Sequence, residues 1–113
     1  MNLQRFVTLS ETQAALNYDD ERTVRRANTA AEQMRTMISS IPENATSEIS
    51  QVLTLLSHPT AGSWAAFCLM DHHKLTAEDE RACLDVIRPH AQGNGPDALG
   101  VRHWLRSRGL EAG

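Results

Sequence analysis

The stretch from Asp20 to Pro42, DERTVRRANTAAEQMRTMISSIP, decides the fold class. Its apolar residues Val24, Ala27, Ala31, Met34, Ile38 and Ile41 are spaced 3-4-3-4-3. At 3.6 residues per turn, that spacing gathers them on one face of a helix and turns the face toward a core. Arg22, Arg25, Glu32 and Arg35 fall off the stripe, where water can reach them. Pro42 closes the segment, because its ring pushes the preceding residue out of the α region. The spacing therefore predicts a helix over 20–40.

The same period recurs on both sides of this segment. A helix is predicted over 2–17, with Leu3, Phe6, Val7 and Ala14 near one face. Asn44, Thr46 and Ser47 offer caps for a third helix over 46–57, whose face is Ile49, Val52, Leu53 and Leu56. His58-Pro59-Thr60 is a short break before a fourth helix over 61–73. That helix has Ala65, Cys68, Leu69 and His72 on one side and Ala66, Phe67 and Met70 on the other. A helix apolar on both sides is expected at the centre of a fold, between neighbours. Phe67 and Met70 also offer a seam for a homodimer.

Thr76-Ala77-Glu78-Asp79 is a near match to a capping box and opens a fifth helix over 77–91. Its buried set is read as Ala82, Cys83, Val86 and Ile87, with Pro89 kinking or ending it. Gly93-Asn94-Gly95-Pro96-Asp97 is a turn that places proline at the start of a last helix. Ala98, Val101 and Leu105 are the stripe of that helix, and Gly109 is placed as a left-handed stop with Leu110 behind it. No run alternates with period two for long enough to read as a strand. The expectation is a single all-α domain over 1–113. Leu53 and Leu56 recur as Leu84 and Ile87, and Ala65 and Leu69 as Val101 and Leu105. These echoes favour about six helices in three stacked hairpins over an up-down bundle.

Composition narrows the function classes. The chain has 113 residues, 11 basic and 14 acidic side chains and a net charge of −3. Acids match or outnumber bases in both halves, so no basic arm for nucleic acid is evident and a nucleic-acid partner is not expected. Apolar residues make up 41%, enough for a core, yet no apolar run approaches the ~20 residues of a membrane span. Met1-Asn2-Leu3-Gln4-Arg5 lacks the features of a secretory signal, and Cys68 and Cys83 are read as reduced thiols packed as small hydrophobes. A cytoplasmic location is expected.

Leu55-Leu56-Ser57-His58-Pro59 followed by Trp64-Ala65-Ala66-Phe67-Cys68-Leu69 resembles the "LL-x-HP … AA-x-x-L" core of HEAT-like repeats. With the Ala27-Asn28 pair and a last helix bounded by Gly95 and Gly109, the chain is similar over about 3–109 to small bacterial HEAT-like proteins carrying a domain of unknown function. Trp64 departs from that pattern, which has a small β-branched residue there. The resemblance implies an α-α superhelix without established enzymatic activity. Some compact HEAT-like bacterial proteins are immunity partners of secreted toxins, which makes that role an expectation here.

Three chemistries compete with a purely structural role. Asp71-His72-His73 spells a triplet found in a metal-dependent phosphoesterase family, but there it follows a strand. At a helix C-terminus, the dipole and the free carbonyls favour histidine and lysine anyway. Cys68 and His72 are half of a zinc site, needing Cys83 with His90 or Asp79 as the other half. Arg22, Arg25 and Arg26, or Arg102, Arg106 and Arg108, could meet phosphates. The last helix also places Arg102, His103 and Arg106 beside Trp104, and Arg and Trp are the residues that dominate protein-binding surfaces. The reading is a non-catalytic protein-binding module, an immunity protein acting on a toxin by occlusion, with Arg102, His103, Trp104 and Arg106 as its contact residues and no cofactor or metal. The alternatives are a metal-dependent hydrolase using the 71–73 triplet, and a nucleic-acid binder.

Overall fold

The computed structural model describes residues 1–111. Its helices are α1 (Leu3–Ala14), α2 (Glu21–Ser39), α3 (Thr46–Leu53), α4 (Ala61–His72), α5 (Ala77–Ile87) and α6 (Pro96–Ser107). Two 3₁₀ turns, Thr54–Ser57 and Arg88–Ala91, follow α3 and α5. Among the described residues there is no strand, so the fold is all-α. The elements pack in chain order: α1 on α2, α3 with its 3₁₀ turn on α4, and the second 3₁₀ turn on α6. Contacts of α4 with α2 and with α5 join these pairs. No helix among the described residues is long and apolar enough to cross a membrane.

One cluster forms the core, with Phe6, Met34, Ile38, Val52, Leu69, Ile87 and Leu105 fully buried. Five of the six residues of the predicted α2 stripe, Ala27, Ala31, Met34, Ile38 and Ile41, are buried, whereas Val24 in the first turn is half-buried and Ala30 joins the buried face. Elsewhere the faces shift. On α1 the buried pair is Phe6 and Ser10, while Ala14 is exposed. The Ser10 hydroxyl donates to the Val7 carbonyl (2.7 Å) and is paired with the Thr60 hydroxyl (2.8 Å), which makes its burial tolerable. On α5, Leu84 is buried with Cys83 and Ile87, whereas Ala82 and Val86 are half-buried.

Local chemistry explains where the helices stop. Instead of running to 17, α1 ends at Ala14, because Asn17 accepts from the Asp19 amide (3.0 Å) in an Asx turn. The Asp20 side chain then caps α2 through the Arg22 amide (3.0 Å). None of Asn44, Thr46 and Ser47 caps α3; the cap position is Ala45, held by its own amide on the Pro42 carbonyl (3.0 Å). Helix α5 gives way after Ile87, where Pro89 lacks an amide hydrogen, and the chain tightens into a 3₁₀ turn. Thr76 caps α5 by accepting from the Asp79 amide (3.1 Å). At the end of α6, Gly109 has φ +71°. The Leu110 amide reaches the Leu105 carbonyl (2.9 Å) and the Gly109 amide that of Arg106 (3.0 Å), the two bonds of a Schellman stop.

The entry to α4 is a tight corner. His58 Nδ1 accepts from the amides of Thr60 (3.2 Å) and Ala61 (3.1 Å), so the imidazole caps the helix that follows it. A Cβ at Gly62 would lie 2.5 Å from the Leu56 carbonyl oxygen, so α4 begins in direct contact with the preceding backbone. Small residues continue the theme, with Ala61, Gly62, Ala65, Ala66 and Cys68 buried along α4. They let α1, α2, α3 and α5 approach it closely, as expected of a helix apolar on both sides.

Gly62→Ala is expected to cost about 2 kcal/mol or more, because backbone must move to admit the methyl group. Gly100→Ala, in α6 with nothing within 4 Å of the new Cβ, is expected to gain about 0.5–1 kcal/mol. Urea denaturation of the two variants measures the contrast; equal stabilities would refute the tight corner.

Candidate functional site

An open groove of about 630 Å³ crosses the molecule between α4 and α6. One wall is a continuous face of α4: Ser63, Trp64, Phe67, Cys68 and Asp71. Pro96, Asp97, Gly100, Val101 and Trp104 of α6 form the other, and Gln13, Arg35 and His90 close the rim. The groove exists because α6 packs chiefly on the 3₁₀ turn Arg88–Ala91 rather than along α4. Arg102 holds that arrangement, donating to the carbonyls of Ala91 (2.7 Å) and Gly93 (2.8 Å).

Asp71 closes one end of the groove. Its Oδ1 accepts from Trp104 Nε1 (3.0 Å) and from Arg108 Nη2. Arg108 also donates to the Met70 carbonyl (3.3 Å), and its guanidinium lies 4.4 Å from the Trp104 ring. The Trp104 and Phe67 rings meet edge to face at 5.0 Å. At the other side, Trp64 Nε1 donates to Gln13 Oε1 (3.3 Å), and the Arg35 guanidinium sits 5.7 Å over the Trp64 ring. Trp64, Phe67 and Trp104 are each half-buried, so each leaves part of a ring facing solvent.

The four residues predicted as contacts therefore separate. Trp104 lines the groove, and Arg102 is consumed in holding the loop before α6. His103 and Arg106 are exposed on the outer side of α6, together with Leu99, whose side chain is 57% exposed. Leu99 is apolar, sits one turn before His103 and was not singled out by periodicity. Trp64 and Arg35 are site residues that the sequence does not single out, whereas Phe67 is read there as half of a dimer seam. The sequence signal at Trp64 is its departure from the repeat pattern, and Gln13 and Arg35 reach it from helices remote in the chain.

The alternative chemistries meet a different geometry. Asp71 is occupied by Trp104 and Arg108, His72 is exposed, and His73 Nε2–H donates to the Ile38 carbonyl (2.7 Å) at the end of α2. The triplet thus points at three different targets, and His72 does not share the buried side of Ala65 and Leu69. Among the described residues, no three His, Cys, Asp or Glu side chains gather in a metal-holding group. Both thiols are buried. Loss of hydration, with Asp71 adding to it, pushes the Cys68 thiol from 9.0 up to about 12. Loss of hydration, with Asp79 and Glu80 adding, does the same for Cys83. Both are neutral near pH 7 and behave as small hydrophobes. Of the basic clusters, Arg102 and Arg108 are engaged internally and Arg22 pairs with Asp20 at 3.5 Å. Arg25 and Arg26 remain on a shallow depression of about 300 Å³ with Thr12, Thr29 and Gln33.

No family model, no curated protein and no solved structure matches the chain.

Asp71→Ala is expected to lower stability by about 1–2 kcal/mol and to red-shift Trp emission, since it frees Trp104 and Arg108 together. Asp71→Asn keeps an acceptor for Trp104 and should cost about half as much, while His103→Ala and Arg106→Glu should stay within about 0.5 kcal/mol. An Asp71→Ala protein with unchanged melting and emission would remove this link from the account of α6.

The thiols give a pH signature. Above pH 9.0 the unfolded chain releases thiol protons that the folded protein keeps until about 12. Stability is therefore intact below pH 9 and falls as pH rises toward 12, by at most about 1.4 kcal/mol per pH unit for each thiol. Denaturation at stepped pH should show this slope, and Cys83→Ala should roughly halve it. A slope unaffected by that substitution would mean the thiols do not govern the alkaline limb.

Proposed function

We propose that the protein is a non-catalytic, HEAT-like protein-binding module of the cytoplasm, working as an immunity protein that occludes a toxin. The observation that supports this reading best is the aromatic groove. Trp64, Phe67 and Trp104 present half-buried rings along an open channel whose walls are helices. Rings held this way offer apolar area at low cost in side-chain ordering, which is how binding hot spots are built. The polar contacts around them, Gln13 with Trp64 and Asp71 with Trp104, fix ring orientation before any partner arrives. The HEAT-like assignment and the toxin rest on the resemblance of residues 55–69, and the groove supplies the surface that such a role would use.

Gly100 offers a direct test. It lines the groove and has open space where its Cβ would be, so Gly100→Phe should fold and fill the channel. The experiment co-expresses the protein with a toxin encoded beside its gene and scores both survival and co-purification. Wild type and Arg106→Glu are expected to protect and co-purify, whereas Gly100→Phe should lose both. Protection by Gly100→Phe equal to wild type would take the groove out of the function, and lack of protection by wild type would end the immunity reading.

A further inference from the structure

The turn Gly93-Asn94-Gly95 leads into α6 and is exposed throughout. Of the five asparagines in the chain, Asn94 is followed by glycine, and the other four by Leu3, Tyr18, Thr29 and Ala45. The side-chain carbonyl of an asparagine can be attacked by the backbone nitrogen of the next residue. A following glycine leaves that nitrogen unshielded and free to turn toward it. The four other sites are also held in place. Asn2 and Asn17 accept the amides of Arg5 (3.0 Å) and Asp19 (3.0 Å). Asn28 lies inside α2, and the Ala45 amide that follows Asn44 is committed to the Pro42 carbonyl (3.0 Å). At Asn94 these restraints are missing. The Gly95 amide donates to no backbone carbonyl among the described residues, and nothing stands within 4 Å of where a Gly95 Cβ would be. Gly93, at φ +97°, gives the turn a second residue without a side chain.

We infer that Asn94 is a site of spontaneous modification, converting to aspartate and isoaspartate in the folded protein, and that the isoaspartyl product loosens α6. The Gly95 nitrogen gives up its proton to base and bonds to the Asn94 side-chain carbonyl carbon. Ammonia leaves, and a succinimide ring results. Water then opens the ring. Addition at the side-chain carbonyl yields aspartate, and addition at the main-chain carbonyl yields isoaspartate, whose path to Gly95 runs through Cβ and Cγ. Nothing is oxidised or reduced: water enters and ammonia departs. Both products place a new carboxylate at the start of α6, which has no side-chain cap of its own. They differ in length. Isoaspartate adds a methylene to the backbone between Gly93, whose carbonyl Arg102 holds, and Pro96 at the head of the helix. The loop that Arg102 staples then no longer matches the span it closes, whereas aspartate leaves that span unchanged. The inference is independent of the proposed binding role.

The test incubates the folded full chain in mildly alkaline buffer, digests it, and locates by peptide mass each amide that has become an acid. A protein isoaspartate methyltransferase with a labelled methyl donor reports the isoaspartyl product. Asn94 is expected to convert about tenfold or more faster than any other asparagine, at a rate close to that of the urea-unfolded chain. Gly95→Ala, whose Cβ meets open space and so should fold, is expected to slow the conversion by about tenfold. Asn94→Ser should abolish the methyl labelling. Conversion led by another asparagine, a folded-state rate far below the unfolded one, or an unchanged rate in Gly95→Ala overturns the site. Hydrogen exchange reads the consequence: the α6 amides of the isoaspartyl form should exchange several-fold faster than those of wild type and of Asn94→Asp. Equal exchange in all three overturns the loosening of α6.

Discussion

The fold depends on how closely α4 can be brought against the chain that precedes it. Gly62 lets the helix start in contact with the Leu56 carbonyl, and His58 turns its ring back to satisfy the first free amides. Once the start of α4 is fixed, its small residues set the distance of every neighbour. Ala65 and Ala66 are fully buried, and Leu69 joins the core with Met34 and Ile38. Close packing of this kind carries a sharp penalty for added volume, which is why one methyl group at Gly62 matters more than the same group at Gly100.

The same helix makes the site. Because α4 is packed on several sides, the face bearing Trp64, Phe67 and Asp71 is the one left for α6, and α6 covers it incompletely. Its Pro96 end is set by the turn that Arg102 staples, and its other end by Asp71. Between these attachments the two helices leave a channel lined by rings. Binding capacity here comes from a gap in coverage, and the polar links at the ends keep the gap from closing.

Short-range patterns were legible in the sequence wherever one helix decides its own face. The stripe of α2, the Thr76 cap, the Gly109 stop and the central place of α4 all follow from spacing within a single element. Helix ends were less legible, since the Asx turn at Asn17 and the Pro89-driven 3₁₀ turn depend on which local hydrogen bond wins. The groove could not be read, because its contacts join Gln13 to Trp64 and Asp71 to Trp104 across long stretches of chain. Arg102 shows the difficulty well: in the sequence it stands in a row of arginines beside a tryptophan, and only its carbonyl partners show that it serves the loop. Ser10 is the converse case, a polar residue whose burial depends on Thr60 from another helix.

The manner in which α6 is attached has a dynamic consequence. Its hold on the body combines the buried Ala98 and Leu105 and the half-buried Val101 and Trp104 with polar links at its C-terminal end that are exposed to water. Such links exchange readily with solvent, so α6 should open as a unit before the rest of the domain melts, and its amides should exchange with deuterium ahead of those of α2 and α4. A ligand seated between α6 and the rest of the domain would slow that opening by tying the two together.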